Sequence, residues 1–165
     1  MSELATLKKE GDVSVITLDD GKANVFSLPM LETLQSILAE IPKDSGSVII
    51  TGREKMFSGG FDLKTFSSGD VETIKKMTSL GFRTLFDLYT FPRPIVAAIS
   101  GHAVALGIFV VSCCDYRIGI DEEFVVQANE VRNNMDIPVP IKEIAASRVD
   151  KQHIYRALFH ADPYK

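Results

Sequence analysis

The sequence is poor in the residues that define several common kinds of site. Its two cysteines, Cys113 and Cys114, are adjacent and lie inside an apolar run. Neighbours of this kind do not staple a fold; they read as reduced core thiols, which suits a cytoplasmic setting. The three histidines, His102, His153 and His160, have no clustered acids near them, so no metal-ligand spacing is present. Basic residues do not dominate: 18 Lys and Arg stand against 22 Asp and Glu, a net charge of −4. That balance gives no electrostatic footprint for nucleic acid, and scattered cations suit local contacts with one anionic ligand better. No G-x-G-x-x-G fingerprint and no G-x-x-x-x-G-K phosphate loop occurs, and no glycine stands two residues before Ser100 to make a nucleophile elbow. The opening stretch MSELATLKKEGDV has no apolar signal core and no cleavage pattern, so secretion is not expected.

What the sequence does have is one long stretch without Asp, Glu, Lys or Arg, from Pro94 to Cys114, closed by Asp115-Tyr116-Arg117. A membrane span is one reading of such a run. Pro94, Gly101, His102, Gly107 and Ser112 argue against it, and no membrane association is expected. Ile95 to Ile99 is β-branched and continuous, as a strand buried on both faces would be. Ser100-Gly101 breaks it, and Ala105 to Cys114 favours a short buried helix. A strand, a glycine turn from Gly101 to Gly107 and a helix start would point backbone N–H groups at whatever lies above the turn. The plain alternative is a core segment with no chemistry.

The remainder reads as alternating strands and helices in one α/β domain over residues 1–165. Leu4 to Lys9 and Val13 to Leu18 are strands about a Glu10-Gly11-Asp12 turn. Asp19 to Lys22 is turn chemistry, and Ser27 caps a helix with Pro29 in its first turn and an apolar face of Met30, Leu31, Leu34, Ile37, Leu38 and Ile41. Pro42 ends that helix. Ser47 to Gly52 is a buried strand. Ser58 to Asp62 is a second glycine turn, or else a simple connecting loop. Asp70 or Ser68 caps a helix from about Val71 to Thr90, with Ile74, Met77, Leu80, Leu85, Phe86 and Leu88 on its apolar face. Asp115 to Gly119 and Phe124 to Gln127 follow as strands, and Ile141 to Arg148 and Gln152 to His160 as helices. Glu130 stands in a neighbourhood poor in other polar groups, though it also reads as an acid at a strand end.

FSGGFDLK (Phe57 to Lys64), taken with PIVAAISGHAVALG (Pro94 to Gly107) and CDYRIG (Cys114 to Gly119), resembles the crotonase family, the enoyl-CoA hydratase/isomerase superfamily. VSVITLDDGKANVFS resembles the family's opening strand and CoA-side loop, and the likeness covers nearly the whole chain. It implies the α/β crotonase fold, in which repeated ββα units form a spiral core. It also implies C-terminal helices, expected to be missing from the sequence given, and, where they are present, a homotrimer or dimer of trimers. The expected partner is an acyl-CoA thioester, with coenzyme A as part of the substrate and no separate cofactor or metal. Matched residue by residue, the two N–H donors that hold the thioester enolate are those of Phe61 and Leu106; many members have glycine at the latter position. Such donors are worth about 3 kcal/mol each in related oxyanion sites. Lys22 and Lys64 match positions facing the CoA phosphates or adenine, or are ordinary solvated lysines. Ala23, Gly60, Asp62, Leu63, Gly107 and Phe109 complete the residues that the likeness places along the substrate.

The carboxylates separate the reactions. Hydratases of the family use two glutamates; the first matches Phe109 here and is missing, and the second matches Glu130. The segment ANEVRNNMDIP resembles the Δ3,Δ2-enoyl-CoA isomerase branch, which works with one glutamate, although Asn133-Asn134 replaces a glycine and an apolar residue. One carboxylate is enough to take a proton from C2 and return it at C4, whereas hydration normally needs a second group for water. Burial beside Phe109 is expected to raise the Glu130 pKa. Isomerisation is the leading expectation, with single-glutamate hydration and non-catalytic CoA-thioester binding as the alternatives.

Overall fold

The Glu10-Gly11-Asp12 turn folds β1 (Ala5–Glu10) back on β2 (Val13–Leu18), antiparallel from Ala5 opposite Leu18 to Glu10 opposite Val13. The computed structural model describes residues 4–164. β3 (Val25–Phe26) leads into α1 (Leu28–Glu40), whose Ser27 cap accepts the Met30 N–H at 3.3 Å. The stripe Met30, Leu31, Leu34, Ile37 and Leu38 is buried, and the chain leaves the helix at Ile41, just before Pro42.

Next come β4 (Ser47–Thr51), β5 (Lys55–Ser58), β6 (Gly60–Phe61), α2 (Leu63–Ser67) and α3 (Val71–Tyr89). Asp70 supplies the α3 cap, accepting from the Thr73 N–H. Met77, Gly81, Thr84, Leu85 and Leu88 form the buried side of α3. Phe86, expected on that side, is 58% exposed, because it sits one residue off the stripe that faces α1 and the core.

The uncharged stretch divides into three elements: β7 (Ile95–Ile99), β8 (Gly101–Val104) and α4 (Leu106–Cys113). β8 replaces the expected Gly101–Gly107 turn. Its conformation comes from pairing in parallel with β5, and Gly101 lies so close to the Lys55 backbone that a Cβ there would be 2.1 Å from the Lys55 carbonyl oxygen. Asp115, the first charge after the run, turns its carboxylate back to accept the Ile95 N–H at 2.9 Å. β9 (Tyr116–Gly119) and β10 (Val126–Gln127) follow, the latter shorter than expected. A 3₁₀ turn at Val131–Asn133 then leads to α5 (Val139–Arg148) and α6 (Lys151–Ile154). The last expected helix does not run through; it widens into a π turn at Tyr155–Phe159.

The larger sheet has the order β1-β2-β4-β7-β9, parallel from β2 onward, and a three-stranded parallel sheet runs β10-β8-β5. β3 and β6 pair by themselves. The ββα units β4-β5-α3, β7-β8-α4 and β9-β10-α5 each add one strand to both main sheets, always in the same direction. This is the spiral of repeated ββα units. Between the layers lies the core, with Ile16, Leu18, Phe26, Leu34, Ile50, Phe57 and Leu85 closed to water. Among the described residues no helix is long and apolar enough to cross a membrane.

Candidate active site

Parallel pairing of β5 with β8 places the two glycine-bearing motifs side by side. Gly60 adopts φ +89°, and a Cβ there would lie 2.6 Å from Ala105 Cβ and 3.1 Å from the Leu106 nitrogen. A Cβ at Gly107 would lie 2.7 Å from the Ser58 carbonyl oxygen. Only glycine permits this double approach. Leu106 is the first residue of α4, and Ala105 before it, at φ +51°, offers no side-chain cap. The α4 N-terminus therefore turns uncapped backbone donors, and the positive end of its dipole, toward the junction.

That junction opens on a cavity of about 290 Å³. Gly59, Phe61, Leu63 and Phe66 line one side, Thr78 and Phe82 of α3 another, and Ala105 and Leu106 a third. The Phe61 ring meets Phe66 edge-on at 6.0 Å and Phe82 at 6.2 Å, giving an apolar wall of fixed shape.

Asn129 and Glu130 enter the same cavity from the segment after β10. The Glu130 carbonyl accepts the Asn133 N–H at 2.9 Å and the Met135 N–H at 3.0 Å, which fixes the backbone. One oxygen of its carboxyl is unpaired: the residue is 6% exposed and Oε2 has no hydrogen-bond partner. Burial pushes the carboxyl above its ordinary range, outweighing a backbone N–H that favours the charge. Asn129 Oδ1 is likewise buried and without a partner. A buried carboxyl with an unpaired oxygen costs stability, which marks this position as a candidate for proton transfer. Asp136 also lines the cavity but is exposed to water.

The structure thus brings Phe61, Leu63, Leu106 and Glu130 to one cavity, with Gly60 and Gly107 packed behind it. Phe109 lies elsewhere, lining a separate cavity of about 280 Å³ with Ile108, Ser112, Arg117 and Arg148. The apolar groups that share the Glu130 cavity are instead Phe61, Phe66, Phe82 and Leu106. Asp62 is occupied as the α2 cap, accepting from the Lys64 N–H at 3.1 Å and the Thr65 hydroxyl at 2.9 Å. Lys22 and Lys64 are exposed, and the Ala23 carbonyl accepts the Gly59 N–H at 2.8 Å, tying the early loop to the first motif. Among the described residues no group of three or more His, Cys, Asp or Glu is placed to hold a metal ion.

Asn24 was not among the expected site residues. It is fully buried, and its amide donates to the carbonyls of Leu18 at 2.8 Å, Met56 at 3.1 Å and Phe57 at 3.3 Å. The signal was an asparagine after turn chemistry, the residue type that tolerates its φ of +48°.

A family model described as enoyl-CoA hydratase/isomerase matches residues 8–165. Over 143 residues, 83% of this chain and 59% of the relative, the sequence is 34% identical to enoyl-CoA delta isomerase 3 of Arabidopsis thaliana. Over 114 residues, 67% of this chain and 44% of the relative, it is 35% identical to a probable enoyl-CoA hydratase of Bacillus subtilis (strain 168). The crystal structure of a probable enoyl-CoA hydratase from Mycobacterium tuberculosis H37Rv is 34% identical and superposes with a TM-score of 0.93, covering 98% of this chain and 68% of that one. The chain spans about half the length of the curated relatives it matches.

Proposed function

The chain belongs to the enoyl-CoA hydratase/isomerase family, and from that premise we propose that it binds an acyl-CoA thioester and moves a double bond from C3–C4 to C2–C3. The ionised Glu130 carboxylate takes a proton from C2. The C2–H electron pair moves toward the thioester carbonyl, and the resulting dienolate oxygen is held by the N–H groups of Phe61 and Leu106. The electrons then return through C2–C3, C4 takes the proton back from Glu130, and the carboxylate is regenerated. Preorganised donors contribute about 3 kcal/mol each to such a step, and a positioned base about 10²–10⁴-fold.

The observation that carries this reading is the buried Glu130 carboxyl, its Oε2 without a partner, in the same cavity as Phe61 and Leu106. A second reading, water addition to a 2-enoyl-CoA, is favoured by Asn129 Oδ1, an unpartnered acceptor on the neighbouring residue that can hold a water.

The test is to supply 3-enoyl-CoA and 2-enoyl-CoA separately to the chain and to Glu130→Gln. Isomerisation lost in Glu130→Gln supports the first reading, and isomerisation that persists overturns the role of Glu130. Water addition without isomerisation selects the second reading. Acyl-CoA binding with neither reaction marks a binding protein.

A further inference from the structure

Ser58 ends β5, where the two glycine-bearing motifs come together, and its hydroxyl bonds in two directions. The residue is fully buried. Its Oγ donates to the Asn24 carbonyl at 2.7 Å and accepts the Gly60 N–H at 3.1 Å. Its own carbonyl oxygen and Cβ back onto Gly107 in the first turn of α4, where a Cβ would meet them at 2.7 and 3.0 Å.

The Asn24 end of this chain of bonds is braced. The Asp20 carboxylate accepts from the N–H groups of Lys22 at 2.7 Å, Asn24 at 2.8 Å and Val25 at 3.0 Å. The Gly60 end is the one that needs bracing. Glycine has the freest backbone of any residue, and the peptide group after Gly60 carries the Phe61 N–H. A hydroxyl that pins the Gly60 nitrogen to a rigid loop limits how that peptide can turn, and donors fixed before the reaction are what stabilise a developing oxyanion.

We infer that Ser58 is a positioning residue for the oxyanion hole, its hydroxyl holding the Gly60–Phe61 peptide in place by tying it to Asn24. This rests on the enolate chemistry proposed above. A hydroxyl that only satisfied two backbone groups would affect the binding of all thioesters alike; one that aims a donor would affect enolate-like ligands selectively.

The experiment compares two probes by direct binding, acetoacetyl-CoA, whose enolate places charge on the thioester oxygen, and butyryl-CoA, which carries none. The unaltered chain is expected to prefer acetoacetyl-CoA. Ser58→Ala is expected to cut that preference about tenfold while butyryl-CoA binds within twofold, and to lower kcat on enoyl-CoA with little change in KM. Ser58→Cys differs little in size and hydrogen-bonds only weakly. The same selective loss on a smaller scale is expected from it, and it serves as the test if the alanine variant does not fold. A preference that survives either folded variant in full overturns the role of Ser58 alone. No preference in the unaltered chain overturns the enolate reading, and the role of Ser58 with it.

Discussion

The ring of Phe61 rests on the bare backbone of Gly81: a Cβ at that point of α3 would lie 2.5 Å from Cε1 and Cζ of the ring. Glycine inside a helix costs about 1 kcal/mol relative to alanine, so propensity alone favours replacing it. Overpacking of a filled site costs about 1–3 kcal/mol and works the other way. Gly81→Ala is therefore expected to lower the thermal midpoint slightly and, by moving the ring, to raise KM for acyl-CoA severalfold. Adding Phe61→Leu should recover most of the stability lost; calorimetry on the two variants checks it. A Gly81→Ala chain with a raised midpoint and unchanged KM would show that the contact imposes nothing.

A second prediction concerns the size of the cavity. Phe82 closes it from α3 and packs edge-on to Phe61. Phe82→Ala removes a wall from a space of about 290 Å³, so the ratio of kcat/KM for long over short acyl chains should rise. The edge-on pair contributes about 0.5–1.5 kcal/mol beyond its buried area, so a modest loss of stability should accompany the shift. A chain-length profile on both proteins decides it, and an unchanged ratio would place the acyl chain elsewhere.

Local signals in the sequence carried much of this fold. Ser27, Asp70 and Pro42 mark helix boundaries by chemistry confined to one turn, and all three act where their residue types imply. Less legible was whatever depends on distant pairing. Gly101-His102 has the composition of a turn and becomes a strand because β5 and β10 flank it. Phe109 lies in a buried helix as its apolar neighbours imply, yet it lines a cavity separate from the one that Leu106 and Glu130 share. The meeting of Phe61, Leu106 and Glu130 followed from motif resemblance, since nothing local to Glu130 announces the aromatic wall contributed by α2 and α3. The bond between Ser58 and Asn24 is not legible in the sequence, because a buried hydroxyl bridging two backbones leaves no periodic trace.

Acid should loosen the Asp20 loop. Burial acts to raise the Asp20 carboxyl, but the N–H donors of Asn24, Val25 and Lys22, with the Arg53 guanidinium, outweigh it and hold the group below its ordinary 3.8. A depressed folded value means the contribution is complete above 3.8 and disappears as pH falls through the folded value. Asp20→Asn, which keeps only one acceptor oxygen, should cost about 1 kcal/mol at pH 7. The gap to the unaltered chain should narrow in more acidic buffer. Urea unfolding across the acid range measures it; a gap that widens with acid would contradict the assignment.

Glu130 has the opposite sign. Its carboxyl is raised by burial, so the folded chain holds that proton more tightly than the unfolded chain does. Stability from this group is complete below the ordinary value of 4.5 and falls as pH rises through the folded value. Glu130→Gln cannot ionise, so its thermal midpoint should exceed that of the unaltered chain at pH 8 and lose most of that advantage at pH 4. The proposed base works only when ionised, so kcat/KM should climb over the same pH interval in which stability declines. The variant should be at least about 10²-fold slower at pH 8, with the gap narrowing toward pH 4. Coincidence of the two curves is the measurement that matters, because one ionisation is then responsible for both. If activity rose with pH while the stability difference stayed flat, the carboxylate that titrates in catalysis would have to be a group other than Glu130.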